Sequence, residues 1–126
     1  RFAGVAAELL GAEGVRLYHD QALFKEAGGG RTPWHQDQNY WPLDTDDIVT
    51  MWMPLVDLDP AVGSMTFLDA SHLDGDVGAG EISDSSDAAI ERSIAVGNRS
   101  TTTHGALAAG DATFHKGWTR YKGCIR

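Results

Sequence analysis

The chain has 126 residues, a formal net charge of -8 at pH 7 and a single cysteine. This length is enough for one domain with a hydrophobic core and too short for two. A phosphate backbone requires clustered Lys and Arg, so the acidic balance and the lack of a basic cluster exclude nucleic acid as a partner. One cysteine excludes an intrachain disulfide and is typical of a reducing compartment, so we expect a cytoplasmic protein.

The sequence shows no sign of membrane insertion or secretion. No run approaches the roughly 18–20 apolar residues that a membrane-spanning helix needs. Arg1–Val5 lacks the charged and then apolar pattern of a signal peptide, and the chain begins without Met. We therefore expect residues 1–126 to form a single domain that is a truncated piece of a longer protein.

The first half of the chain is predicted to hold one helix followed by extended segments. Apolar residues at helical spacing predict a helix over Phe2–Leu10, and Gly11 is its expected end. The β-branched and aromatic content of Val15–Phe24 predicts a strand, whereas three glycines within Lys25–Arg31 predict a flexible turn. Ile48–Leu58 is the most hydrophobic segment, and its composition predicts a central strand.

The second half of the chain alternates short extended segments with turn signals. A turn at Asp59–Gly63 precedes a predicted strand over Ser64–Leu68. Several N-cap candidates at the start of Ser83–Val96 predict a short helix. Ala112–His115 and Gly117–Thr119 together are predicted to form the last strand. Short strands with a minor helical component indicate a mainly β protein, namely a β-sandwich or jelly roll.

The segment Thr32–Pro42 contains the residues with the clearest chemical meaning. In an extended chain His35 and Asp37, two residues apart, point to the same face. An imidazole and a carboxylate in this position can bind one metal ion, and two histidines with one carboxylate are characteristic of non-haem Fe(II) oxygenases. Spacing alone favours the alternative, a surface loop in which Asp37 pairs with a nearby histidine. Three aromatic residues of the segment can wall off a dry pocket: Trp34, Tyr40 and Trp41.

Five segments distributed along the chain add to this motif. They are LFKEAGG (Leu23–Gly29), WHQDQNYWP (Trp34–Pro42), MWMPLVDL (Met51–Leu58), VGSMTFLDASH (Val62–His72) and GDATFHKGWT (Gly110–Thr119). In this order they resemble the phytanoyl-CoA dioxygenase family of Fe(II)/2-oxoglutarate oxygenases. The resemblance covers most of the chain and implies a double-stranded β-helix, a cupin-like jelly roll with minor flanking helices, which is incomplete here. It also implies Fe(II) and 2-oxoglutarate as cofactors.

The resemblance assigns roles to four residues. His35 and Asp37 correspond to the first two iron ligands, and both are therefore expected to be catalytic. Trp52 and Gln21 lie where family members contact 2-oxoglutarate. The alternatives are an ordinary core aromatic for Trp52 and a polar residue on an edge face for Gln21.

The third metal ligand is the point where this chain departs from the family. The family's second histidine ligand corresponds to position 121, where this chain has Tyr121. Binding iron through a phenolate is costly because the ordinary pKa of tyrosine is about 10. His115 has suitable chemistry, but six residues of straight strand span roughly 20 Å, so we expect it to be a weak substitute that lines the pocket. The family's 2-oxoglutarate-binding arginine would follow, and Arg126 comes too early to serve.

The resemblance implies an enzyme that uses O₂ to convert 2-oxoglutarate into succinate and CO₂ while hydroxylating a small organic or acyl substrate. A carboxylate at Asp37 implies hydroxylation and excludes halogenation. The alternative is a catalytically inactive fragment or pseudoenzyme, a jelly-roll domain that binds a small molecule or a metal. For these 126 residues, the missing histidine and arginine predict weak metal binding and little turnover.

Overall fold

The computed structural model describes residues 1–60, 62–78 and 80–125. This part of the chain is rich in sheet, with two α-helices, and this confirms the coarse class predicted from the sequence. The helices are α1 (Phe2–Leu10) and α2 (Asp84–Val96), and the strands are β1 (Thr32–His35), β2 (Val49–Trp52), β3 (Gly63–Leu68), β4 (Thr101–Thr103), β5 (Thr113–Lys116) and β6 (Tyr121–Ile125).

The strands form two antiparallel sheets. One has the order β1-β6-β3-β4, and the other pairs β2 with β5. In the larger sheet Tyr121 on β6 lies opposite His35 on one side and opposite Phe67 on the other. In the smaller sheet Thr50 lies opposite His115. The larger sheet therefore carries His35 and Tyr121, and the smaller sheet carries Thr50 and His115. The jelly roll itself stays a prediction.

Both helices predicted from the sequence are confirmed. α1 ends at Gly11, which adopts a left-handed conformation with φ of 64° that glycine enters without a steric penalty. α2 begins after Ser83, whose hydroxyl accepts a hydrogen bond from the Ser86 amide while the Ser86 hydroxyl accepts one from the Ser83 amide. Among the described residues, no helix is long and apolar enough to cross a membrane.

The helix α2 holds strand β1 in place. Its Ile90 is buried against Trp34 of β1 and Leu68 of β3. From the same helix the Asp87 carboxylate accepts a hydrogen bond from the Trp34 backbone amide at 2.8 Å and one from the Arg31 guanidinium at 2.6 Å. Apolar burial and a charge-assisted hydrogen bond thus fix the strand that ends at His35, the first candidate metal ligand.

Gln36, the residue between the two candidate ligands, holds the motif in place through hydrogen bonds of its side chain. Its side chain is fully buried, with 0% exposure. The side-chain nitrogen donates hydrogen bonds to the carbonyls of Gly75 and Trp118 at 2.8 and 2.7 Å, and its oxygen accepts from the Val77 amide at 3.4 Å. Because a buried amide makes these bonds in only one orientation, Gln36 fixes the backbone on both sides of itself.

Two of the predicted strands are wrong in extent or in existence. Val15–Phe24 forms no strand, and its Leu17 and Phe24 side chains are 83% and 84% exposed. The prediction failed because strand preference depends on packing against a neighbouring strand, and this segment has none in the structure. Ile48–Leu58 contributes only the four residues of β2, which pairs with β5 alone and is therefore not central.

The single last strand predicted over residues 112–119 is also wrong. β5 ends at Lys116, the chain turns at Gly117 and Trp118, and β6 starts at Tyr121 in the other sheet. The amide of Thr119 donates a hydrogen bond to the Lys116 carbonyl at 2.9 Å, which closes this turn. The chain therefore changes sheets between His115 and Tyr121. Strand β4, which lies in a polar and exposed stretch, was not predicted at all.

Candidate metal centre

The carboxylate of Asp37 lies at the centre of a largely buried polar cluster. Strand β1 ends at His35, and Asp37 begins the 3₁₀ helix Asp37–Tyr40, so the motif is extended only as far as Gln36. The two side chains still converge, with His35 Nε2 lying 3.5 Å from Asp37 Oδ1. The buried Gln36 between them turns away from this cluster, which leaves its two neighbours facing each other.

Three further side chains reach the same carboxylate. The Tyr121 hydroxyl donates a hydrogen bond to Asp37 Oδ1 at 2.7 Å, and the Thr50 hydroxyl donates one to Oδ2 at 2.8 Å. His115 Nε2 lies 3.3 Å from Oδ2. The expectation that His115 is too far from the site is therefore wrong. It assumed one straight strand from His115 to position 121, whereas the chain changes sheets between them and brings both residues back to Asp37.

The ring of His35 is held in a defined protonation pattern. Its Nδ1 lies 2.9 Å from the Pro33 carbonyl oxygen, which can only accept, so Nδ1 carries a proton. Its other nitrogen, Nε2, is the atom that faces the carboxylate of Asp37. Metal-binding histidines show this pattern, in which the remote N–H donates to a backbone carbonyl and so fixes the ring.

The ring of His115 is buried, and only one of its two nitrogens has a hydrogen-bond partner among the described residues. It is 7% exposed, and its Nε2 faces Asp37. Within the described residues its Nδ1 is buried and has no hydrogen-bond partner. The ring packs against Phe67, with centroids 5.3 Å apart. Among the described residues, the nitrogen of this ring that meets a polar partner is therefore Nε2, which faces Asp37.

Tyr121 separates the two imidazoles. Its ring centroid lies 4.3 Å from that of His35 and 4.5 Å from that of His115. The phenol therefore stands where the resemblance places a third ligand. In the part of the chain that the structure describes, no group of three His, Cys, Asp or Glu side chains is arranged to hold a metal ion.

The electrostatics of the cluster favour an ionised Asp37 and a neutral Tyr121. Burial alone would raise the pKa of Asp37, but hydrogen bonding with His115, His35 and Tyr121 outweighs it and holds that pKa well below its usual range. Burial raises the pKa of Tyr121 far above its usual value, and the adjacent charge of Asp37 raises it further. The phenolate form that would bind a metal is therefore disfavoured in this structure.

These pKa shifts predict how stability depends on pH. The folded-state pKa of Tyr121 is raised, so its contribution to stability is present below the unfolded pKa and is lost as the pH rises. Above about pH 10, Tyr121 is ionised in the unfolded chain but not in the folded chain. The free energy of unfolding therefore falls by up to about 1.4 kcal/mol per pH unit. Urea unfolding at increasing alkaline pH should show a steeper loss of stability for the parent than for Tyr121→Phe. Equal slopes would contradict this prediction.

The two residues predicted to contact 2-oxoglutarate lie in different surroundings. Trp52 is half-buried on β2 and stacks on His104, with centroids 5.6 Å apart and ring planes at 20°. Gln21 is exposed in an irregular segment, where its side-chain oxygen lies 3.3 Å from His19 Nε2. Their roles stay predictions, and Arg126 lies outside the described residues.

Sequence reasoning missed Thr50, although a signal was available. Thr50 and Trp52 are two residues apart on β2, so they project from the same face of the strand. Once Trp52 is assigned to the cofactor side, Thr50 follows by this periodicity. Its hydrogen bond to Asp37 orients the carboxylate and leaves the other oxygen for His35 and Tyr121.

A sheet-rich domain with a buried His-x-Asp pair is typical of the non-haem Fe(II) oxygenase class. The sequence profile of phytanoyl-CoA dioxygenase (PhyH) matches residues 1–123. The chain belongs to the phytanoyl-CoA dioxygenase family. This confirms the resemblance inferred from the sequence, and family membership implies Fe(II) and 2-oxoglutarate as cofactors.

A relative with a curated description is the probable alpha-ketoglutarate-dependent hypophosphite dioxygenase of Stutzerimonas stutzeri. It is 33% identical to this chain over 60 residues, which are 48% of the chain and 21% of the relative. The match thus spans about a fifth of that protein's length. No solved structure matches the chain significantly. The relative supports the class of a 2-oxoglutarate-dependent dioxygenase.

Proposed function

We propose that this chain is the metal-binding part of an Fe(II)- and 2-oxoglutarate-dependent dioxygenase, with His35 and Asp37 as metal ligands. One observation supports the assignment above all others. His35 Nε2 and the carboxylate of Asp37 face each other at 3.5 Å, and both side chains are largely buried. A proton on Nε2 or a metal cation can lie between these two groups, and an imidazole with a carboxylate is a donor set that a divalent cation accepts.

The donor types at this site fit Fe(II), which accepts imidazole and carboxylate together. When bound there, Fe(II) with 2-oxoglutarate supplies the oxidising chemistry: O₂ is consumed, and succinate and CO₂ are released as the substrate is hydroxylated. The chain's own residues orient the ligands. The Pro33 carbonyl holds the ring of His35, and the Thr50 hydroxyl holds the carboxylate of Asp37. Burial of both ligands excludes water from the metal.

The finer parts of the proposal rest on the family resemblance. Residues 1–126 belong to one oxygenase-type jelly-roll domain, of which the two sheets are a part. Trp52 and Gln21 contact 2-oxoglutarate, and the substrate is a small organic or acyl molecule. The name of the relative gives hypophosphite as the substrate of that protein, so hypophosphite is included among the substrates to be tried.

An anaerobic titration with Fe(II) and 2-oxoglutarate tests the assignment. The chain should develop the visible metal-to-ligand charge-transfer band of the ternary complex at high Fe(II) concentration. His35→Ala should abolish this band, and His72→Ala, in the turn after β3, is the matched control that should retain it. An equal band in His35→Ala would exclude His35 as a ligand, whereas no band in the parent at any Fe(II) concentration would mean that these 126 residues, with Tyr121 in place, are inert.

A second candidate function rests on the Tyr121 side chain. With a neutral phenol at the position of the third ligand, the chain is a catalytically inactive jelly-roll domain that binds a small molecule or a metal through His35 and Asp37. Succinate formation from 2-oxoglutarate separates the two functions. We expect little turnover from these 126 residues, and substantial turnover would exclude the inactive alternative.

A further inference from the structure

We propose that His35, Asp37 and His115 form a latent divalent-metal site that the Tyr121 side chain keeps closed. In this site His115, and not residue 121, supplies the third ligand. The inference rests on the proposed function, because His35 and Asp37 are its other two ligands.

The distances around Asp37 suit a shared metal ion. His35 Nε2 lies 3.5 Å from one carboxylate oxygen, and His115 Nε2 lies 3.3 Å from the other. Ligands at about 2.1 Å from an ion and at right angles to each other are about 3 Å apart. Each imidazole nitrogen therefore lies within about half an ångström of that spacing from its own oxygen of the Asp37 carboxylate.

The burial of His115 gives independent support. The ring is 7% exposed, and its Nδ1 is buried without a partner in the described part of the chain. A purely structural position facing Phe67 would suit an apolar side chain better, because a buried unsatisfied polar atom has a free-energy cost. Among the described residues, the hydrogen-bonding contact of this ring is with the carboxylate of Asp37, at the candidate site.

Tyr121 is the group that keeps the site closed. Its ring packs against both imidazoles, and its hydroxyl donates to Asp37 Oδ1, the oxygen that also faces His35. A neutral phenol is a poor metal ligand, yet its hydroxyl is hydrogen-bonded to a carboxylate oxygen of Asp37 and its ring packs against both imidazoles. Metal binding by the parent chain therefore requires displacement of this side chain.

The connection between the two sheets explains how two residues can compete for one role. Tyr121 reaches Asp37 from β6, beside β1, whereas His115 reaches it from β5, beside β2. The resemblance places the third ligand at position 121, on the first of these sheets. The structure offers a nitrogen from the second sheet, at a distance that the straight-strand argument did not allow.

Titration of the 126-residue chain with Co(II), a spectroscopic substitute for Fe(II), tests the proposal. Binding is followed by visible absorption and by calorimetry. Tyr121→Val removes the ring, introduces no ligand atom and keeps the β-branched shape that suits strand β6. We expect Tyr121→Val to bind Co(II) about ten-fold or more tightly than the parent, and we expect His115→Gln in that background to remove the gain. His35→Gln in the same background should remove it as well.

Each alternative outcome has a defined meaning. No gain in Tyr121→Val overturns the proposal, as does a gain that survives His115→Gln. If that surviving gain still requires His35, the proposed function stands and only the role of His115 is lost. If the gain is independent of His35, the proposed function fails as well.

Tyr121→His supplies the comparison with the family arrangement. A gain in Tyr121→His without one in Tyr121→Val would show that residue 121 is the ligand position, and this would overturn the proposal. Far-UV circular dichroism and thermal unfolding confirm that each variant is folded before titration. If Tyr121→Val does not fold, Tyr121→Ala takes its place in the same set of comparisons.

Discussion

Replacing Asp87 with alanine is expected to lower the free energy of unfolding by about 3 kcal/mol. Asp87 is 3% exposed and accepts hydrogen bonds from the Trp34 amide and the Arg31 guanidinium. Alanine would leave the Trp34 amide without this acceptor in the interior of the protein. This expected loss of stability is at the lower end of the range for breaking a buried ion pair. The reason is that the Arg31 side chain is half exposed, so water solvates part of its charge.

Asp87→Asn is the matched control for this prediction. Asparagine keeps an acceptor oxygen for the Trp34 amide and loses only the charge pair with Arg31, so we expect a loss of about 1 kcal/mol. Urea unfolding of the three chains at neutral pH measures both differences. Equal losses for the two variants would show that the charge pair, and not the backbone hydrogen bond, connects α2 to β1.

Replacing Asp37 with alanine is expected to cost about 2 kcal/mol of stability at neutral pH. The hydroxyls of Thr50 and Tyr121 would lose their common acceptor. The lowered pKa of Asp37 shows that folding favours the ionised carboxylate, so this group stabilises the protein above its unfolded pKa of about 4. That contribution is lost as the pH falls below this value.

Asp37→Asn separates stability from metal binding. Asparagine has nearly the same volume and keeps one acceptor oxygen, so it should lose less stability than Asp37→Ala. Both variants should reduce the Fe(II)/2-oxoglutarate absorption band to the level of His35→Ala, because neither supplies an anionic ligand. Urea unfolding and the anaerobic titration give the two readouts. A folded Asp37→Asn chain with an undiminished band would exclude Asp37 as a ligand.

Local signals predicted the helices and strand β3 well. α2 begins at the Ser83 cap, and α1 ends at Gly11, as short-range rules for helix ends require. Val15–Phe24 has strand-like residues but no neighbouring strand, and no local pattern reveals that absence. The break between β5 and β6 was also hidden. Gly117 was its only local signal, in a stretch that otherwise continues the composition of a strand.

The candidate site could be predicted in part. The family motifs identified His35, Asp37 and the position of Tyr121, because a ligand motif and its spacing are local in sequence. The approach of His115 and Thr50 to Asp37 depends on which sheet each strand joins. Sequence separation along one strand says nothing about distance once the chain crosses to another sheet. The approach of His115 to Asp37 could therefore be seen only in the three-dimensional structure.

The buried side chain of Gln36 has a consequence for transplanting this motif into another protein. The amide connects the peptide between the two ligands to carbonyls at Gly75 and Trp118, which are 39 and 82 residues away along the chain. A host scaffold that received only the His-x-Asp tripeptide would leave that amide buried without acceptors. A transplant of the motif therefore needs the tripeptide together with the segments that contain Gly75 and Trp118. Exchange of either segment would shift both candidate ligands, His35 and Asp37.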